Sequence, residues 1–143
     1  METKLIQLFP EKENLEKGLQ ISGELFMSGC SLFGTEVCLF ENGILKSKYI
    51  CCANGYFYFL LDYNKRYTIE INKENFESKS VMIHTHVLQN NKTNRHFEFG
   101  VMLHRMDESE MHKPKPIPLI SYSEANDRFE IQPYANKQKN LAS

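Results

Sequence analysis

The sequence lacks several features that would place it in a common functional class. It has no tryptophan, and none of its apolar runs approaches the ~18 residues of a membrane-spanning helix. Alanine, the strongest helix former, is rare. The formal net charge is −1 with no basic stripe, whereas proteins that bind nucleic acid carry a basic excess. These absences argue against a transmembrane segment, a helical fold and a nucleic-acid partner.

The chain has four cysteines among its 143 residues. Adjacent side chains on a strand point to opposite faces, so Cys51 and Cys52 are not expected to bond to each other. The even count permits two disulfides in an oxidising compartment, and free, buried thiols are the plainer interpretation. A domain of this length needs neither a disulfide nor a metal to fold. The four thiols are Cys30, Cys38, Cys51 and Cys52.

Strand-forming residues are plentiful, with ten phenylalanines and seven tyrosines. From Gly18 onward, apolar and polar residues alternate with a period of two, as in half-buried strands. Asn42-Gly43 is a strong hairpin signal, because both central residues of a type I′ turn need a positive φ. Seven such strands predict an all-β, Ig-like sandwich. The predicted core residues, which share the inward phase, are Val37, Leu39, Phe57, Phe59, Tyr67, Ile69, Ile71, Val81, Ile83, Phe97, Phe99 and Val101.

The chain divides into three parts by composition. Residues 1–17 are predicted to be an N-terminal tail, residues 18–106 the sandwich, and residues 107–143 an extended C-terminal segment that packs on the sandwich or trails from it. In this segment, the proline-rich stretch 113–118 favours an extended path. Apolar residues between 117 and 131 predict a terminal hairpin that adds to a sheet edge or covers a face. The apolar stretch 5–9 is too short, and its start too acidic, for a secretory signal.

The predicted fourth strand is apolar on both faces. Phe57 and Phe59 point one way, and Tyr56 and Tyr58 point the other. The outward tyrosines need a cover, which the 117–131 segment, the 5–9 segment or another protein can supply; we expect the 117–131 segment to dock there. The predicted partner-binding residues are therefore Tyr56, Tyr58, Ile117 and Leu119. We expect a protein partner, and a monomer or weak homo-oligomer.

Two histidines are the best metal candidates. His84 and His86 share one strand face, but zinc needs a third or fourth ligand, which His96, His104 or His112 could supply only if the fold brings them near. No metal and no cofactor are therefore expected. No nucleophile motif is present either. A metal-dependent or Cys/His hydrolase, and a cytoplasmic adaptor with free thiols, remain the alternatives to a non-catalytic module.

Residues 19–87 carry a set of turn residues and core positions at Gly23, Gly34, Val37, Leu39, Asn54, Gly55, Phe57, Phe59, Tyr67, Thr68 and Ile69. With these positions the segment resembles the carboxypeptidase regulatory-like domain, a transthyretin-like sandwich of seven strands. The usual threonine-aspartate pair before the asparagine-glycine turn is replaced here by Cys51-Cys52. The resemblance implies a non-catalytic interaction or assembly module of a bacterial envelope protein, in the periplasm or at the cell surface.

Overall fold

The computed structural model describes residues 18–27, 31–51, 54–88, 93–106 and 117–133. In these ranges the chain is all-β, with no helix and with nine strands in two sheets. The count corrects the expected seven strands, because the C-terminal hairpin contributes two more. The strands are β1 (Gly18–Phe26), β2 (Glu36–Glu41), β3 (Ile44–Ile50), β4 (Tyr56–Asp62), β5 (Arg66–Asn72), β6 (Lys79–His84), β7 (Arg95–Met102), β8 (Pro118–Ser123) and β9 (Arg128–Pro133).

The smaller sheet has three strands in the order β4-β1-β7. The central strand β1 runs antiparallel to β4 and parallel to β7. Gly23 on β1 lies directly opposite Phe57 on β4. A Cβ at Gly23 would come within 2.2 Å of the Phe57 ring, so only glycine lets this ring cross β1 into the core.

The larger sheet has six strands in the order β3-β2-β5-β6-β8-β9. Its hairpin β8–β9 joins at β6, where β8 runs parallel to β6. Ile120 and Phe129 bury their side chains in the common core. The Arg95 guanidinium lies 5.0 Å from the Tyr122 ring centroid and 3.0 Å from Asp127 Oδ1, which ties the hairpin turn to the start of β7. The hairpin therefore extends a sheet edge.

The space between the sheets holds one apolar core. Every predicted core residue faces it. The β7 members Phe97, Phe99 and Val101 are only half-buried and pack against the margin of this core. Buried Thr85 adds a polar support: its hydroxyl donates to the Asp62 carbonyl oxygen at 2.6 Å and accepts from the Lys65 amide at 3.0 Å.

The turn predicted at Asn42-Gly43 forms, and a buried phenylalanine anchors one of the loops. Asn42 and Gly43 have φ values of 52° and 84°, which confirms the positive-φ hairpin turn between β2 and β3. Phe76, in the loop before β6, is buried, and the Arg105 guanidinium lies 5.2 Å from its ring centroid. This contact links the β5–β6 loop to the chain that follows β7.

Candidate functional site

Among the described strands, those of the three-stranded sheet expose the most aromatic surface, and this surface lies on the outer face of that sheet. Tyr56 and Tyr58 are 53% and 56% exposed, whereas the alternating Phe57 and Phe59 are 2% and 8% exposed. We call this surface the tyrosine face. Its exposed large apolar side chains are Phe26, Tyr56, Tyr58, Leu60 and Met102.

Strand register sets the arrangement of this face. Glu24 on β1 lies between Tyr56 on β4 and Gly100 on β7. A Cβ at Gly100 would come within 2.7 Å of the Phe26 ring, so the ring lies over the bare backbone of Gly100. The result is a shallow groove of about 570 Å³, lined by Phe26, Tyr56, Glu24, Glu98 and Gly100 among others.

The charge on the tyrosine face is of one sign. Its fully charged side chains are Glu24, Glu98 and, at the end of β4, Asp62. The negative charge of Glu24, and the hydrogen bond that Tyr56 makes to it, raise the pKa of the Tyr56 hydroxyl above its usual value. The protonated hydroxyl therefore donates to Glu24. Among the described residues, no lysine or arginine projects from the strands of this face, and two lysines, Lys46 and Lys65, line a groove at its β4 edge with Tyr58 and Asp62.

A short polar chain crosses the same face. Ser22 Oγ lies 2.8 Å from His96 Nε2, and Glu98 Oε2 lies 3.7 Å from the same nitrogen. In a serine-histidine-acid triad the acid bonds the opposite ring nitrogen, Nδ1, and so orients the imidazole. Here both contacts are made to the same nitrogen, His96 Nε2. Ser22, His96 and Glu98 therefore do not have the geometry of a catalytic triad.

The histidine pair lies on the other side of the molecule. His84, at the end of β6, projects from the outer face of the six-stranded sheet opposite Arg66. Partial burial, followed by the charges of Arg66 and His86, lowers the pKa of His84 below its usual value. Among the described residues no three histidine, cysteine, aspartate or glutamate side chains come together as a possible metal site.

Two of the four cysteines lie in the described ranges. Cys38 and Cys51 are both buried and are not joined to each other by a disulfide. Burial, and then the nearby Glu36 carboxylate, raises the pKa of the Cys38 thiol, which makes it a poor nucleophile. Cys30 and Cys52 lie outside the described residues.

The structure separates the four predicted partner-binding residues. Tyr56 and Tyr58 stand together on β4. Leu119 is 5% exposed within β8, and Ile117, 41% exposed, lies at a groove of about 780 Å³ between β6 and β7. The expectation that the 117–131 segment covers the tyrosines is wrong: the hairpin pairs with β6, its Ile120 and Phe129 lie in the core, and the tyrosines stay exposed.

Sequence reasoning missed the acidic members of the tyrosine face. The alternation of apolar and polar residues shows that Glu24 on β1 and Glu98 on β7 point outward. That the two lie close together follows only from the parallel pairing of β1 with β7, which places Glu98 beside Ser22. Nothing local in either segment specifies that pairing.

Comparison with known proteins gives only distant likenesses. No protein-family model matches the chain, and no curated protein does. The fold is similar to S.CueP, with TM-score 0.40 and 14% identity over 60% of this chain and 62% of that one. It is similar to an N-terminal interface mutant of a type II cohesin–X-dockerin complex from Acetivibrio cellulolyticus, with TM-score 0.41 and 17% identity over 60% and 57%.

A third likeness is to 3-chlorocatechol 1,2-dioxygenase from Rhodococcus opacus 1CP, with TM-score 0.43 and 10% identity over 66% of this chain and 62% of that one. The match thus spans less than two thirds of each of these neighbours. Among the described residues, none forms a helix long and apolar enough to cross a membrane.

Proposed function

We propose that this chain is a non-catalytic protein-interaction module and that the tyrosine face is its binding surface. The observation that carries the proposal is the exposure of Tyr56 and Tyr58, side by side on a strand whose other face anchors the core. Tyrosine is enriched in interfaces because it offers a large apolar ring and a polar hydroxyl at little cost in side-chain entropy.

The backbone beneath these rings supports the proposal. Phe57 and Phe59 anchor β4 in the core, and every residue of β4 is paired with β1. A partner that contacts Tyr56 and Tyr58 therefore orders only side chains, and not a loop. Pre-organisation of this kind reduces the entropy lost on binding.

A catalytic alternative has less support from the described residues. The polar chain Ser22–His96–Glu98 lies on an open sheet face, and its two contacts share one nitrogen. The buried thiols Cys38 and Cys51 are shielded from substrate. Enzymatic acyl transfer needs an activated nucleophile beside an oriented base, and this arrangement supplies neither.

The resemblance of residues 19–87 to carboxypeptidase regulatory-like domains supports a finer version of the proposal. In this version the chain is an accessory module of a bacterial envelope protein, located in the periplasm or at the cell surface. Localisation of the tagged chain by cell fractionation tests it, and recovery in the cytoplasmic fraction would contradict it.

Site-specific photo-cross-linking tests the binding face. Tyr58 is replaced by benzoylphenylalanine in the full chain, and the matched control carries it at Thr68, on the outer face of the six-stranded sheet. We expect a discrete protein adduct from position 58 that disappears with Tyr56→Ala, and none from position 68. Equal adducts at both positions would refute the assignment of this face.

A further inference from the structure

The two outer faces of the sandwich differ in charge. The tyrosine face carries the carboxylates of Glu24 and Glu98, with His96 beside Glu98, and a third carboxylate, Asp62, at an edge that Lys46 and Lys65 also line. The outer face of the six-stranded sheet mixes both signs, and pairs several of them: Lys48 Nζ lies 3.7 Å from Glu36, and Arg128 Nε lies 3.1 Å from Glu130. The charged residues of that outer face are Glu36, Glu70, Glu130, Lys48, Arg66 and Arg128.

The chain as a whole is nearly neutral, with 17 basic and 18 acidic residues. A face with aromatic rings and carboxylates but without lysine or arginine is therefore a local feature and does not follow from composition. Neither Glu24 nor Glu98 makes an ion pair with a lysine or arginine among the described residues. Their charge is available to a partner.

We propose that the tyrosine face binds an extended segment of a partner protein that carries arginine or lysine. This inference rests on the proposed function and specifies the chemistry of the partner. Guanidinium and ammonium groups bind both to carboxylates and to the faces of tyrosine rings, and Tyr56 stands beside Glu24. Complementary charge also speeds encounter and excludes acidic competitors.

The size of the face indicates an extended segment. The central strand β1 spans nine residues. At ~3.3 Å per residue and ~4.8 Å between strands, a face of three strands measures roughly 30 Å by 15 Å. That area is about half of the ~800 Å² that each partner buries in a typical interface between globular proteins. An extended chain needs less area and lies along the groove beside Gly100.

The side chains of the groove fit such a segment. The Phe26 ring lies over the Gly100 backbone and forms one wall of the groove, and the Tyr56 ring stands on the other side of Glu24. A cationic side chain that enters there meets Glu24 and Glu98 together. Its aliphatic stem packs on Phe26, as arginine and lysine stems commonly pack on apolar surface.

A peptide titration of the full chain, followed by amide chemical shifts, tests this inference. The probes are a capped (Gly-Arg)4 peptide, with (Gly-Ser)4 and (Gly-Glu)4 peptides as controls. We expect the arginine peptide to shift resonances of residues 22–26, 56–60 and 96–100, and its affinity to fall as salt is added. The serine and glutamate peptides should leave those resonances unchanged.

Matched charge variants localise the effect. Glu24→Gln with Glu98→Gln should weaken arginine-peptide binding tenfold or more, whereas Glu36→Gln with Glu70→Gln, which removes the same charge from the opposite outer face, should change it less than twofold. Equal loss in both pairs, shifts spread over both faces, or no binding of the arginine peptide would each overturn the inference. If the position-58 adduct persists while the arginine peptide fails to bind, the proposed function stands and the basic partner does not.

Discussion

At the residue scale, neighbouring aromatic side chains on β4 have opposite roles. Phe57 and Phe59 lie in the core, and the Phe57 ring makes an edge-to-face contact with Phe99, with centroids 5.8 Å apart. Tyr56 and Tyr58 differ from them by one hydroxyl each, yet they face outward because a strand turns successive side chains to opposite sides. The alternation places Phe57 and Phe59 in the core and leaves Tyr56 and Tyr58 exposed.

Replacement of Phe59 by alanine tests the core assignment. Because the ring is almost fully buried, Phe59→Ala should lower the free energy of unfolding by about 3–5 kcal/mol, the range for large aromatic truncations. Urea denaturation measures it. Tyr58→Ala is the matched control and should cost less than about 1 kcal/mol, as surface substitutions do. Equal losses would contradict the assignment of the two faces.

His84 gives the protein a defined pH dependence. Its pKa is lowered below the usual 6.5 in the folded chain, so the unfolded chain binds the proton more readily. The contribution of His84 to stability is complete above pH 6.5 and is lost as the pH falls from there through the lower, folded pKa. Urea midpoints at pH 7.5 and pH 5 should differ less in His84→Gln than in the natural chain. His96→Gln is the control, and an unchanged difference in His84→Gln would contradict the prediction.

We expect no stoichiometric metal at the histidine pair. Two imidazoles supply only half of a tetrahedral zinc shell, and the positive charge of Arg66, opposite His84, opposes a cation there. Elemental analysis of the purified chain after exposure to zinc should find far less than one ion per chain. One zinc per chain that is lost in His84→Ala would refute this and would revive the metallohydrolase alternative.

At the element scale, the sequence predicts the strands better than their order. Alternation and turn residues located all seven strands of the 18–106 region, because period-two burial and positive φ at Asn42-Gly43 are local properties. The parallel pairings β1–β7 and β6–β8 join segments more than 30 residues apart. Such contacts depend on the shape of the whole core, so the hairpin was expected on the wrong surface and the acidic residues beside the tyrosines were missed.

The hairpin β8–β9 is an integral part of the sandwich, because it pairs with β6 and contributes side chains to the core. Removal of everything after Asp107 would take Ile120 and Phe129 out of the core and leave the edge of β6 unpaired. We therefore expect the truncated chain to be less stable and to associate, since newly exposed apolar surface and free strand edges favour aggregation. Light scattering and thermal unfolding measure both effects. A truncated chain that stays monomeric and equally stable would contradict the role given to the hairpin.

At the scale of the whole molecule, the sandwich has edges as well as faces. The edge strand β3 exposes all seven of its side chains, four of which are large and apolar: Ile44, Leu45, Tyr49 and Ile50. Its two lysines lie near β2 carboxylates, with Lys46 Nζ 3.8 Å from Glu41 and Lys48 Nζ 3.7 Å from Glu36. The β2–β3 register also shifts between Leu39 and Phe40. Lysines and bulges of this kind protect exposed edges from pairing.

The lysines of β3 should therefore keep the chain monomeric. If two copies paired antiparallel through β3 about Ser47, Lys46 of each copy would lie opposite Lys48 of the other, and directly opposed like charges destabilise a strand pair. Lys46→Thr with Lys48→Thr removes this repulsion and retains a strand-forming residue, so sedimentation velocity should show association that the natural chain lacks. Arg66→Thr with Lys73→Thr removes the same charge away from the edge and should remain monomeric. Association of both variants would assign the effect to net charge, and association of neither would show that the lysines are not what protects the edge.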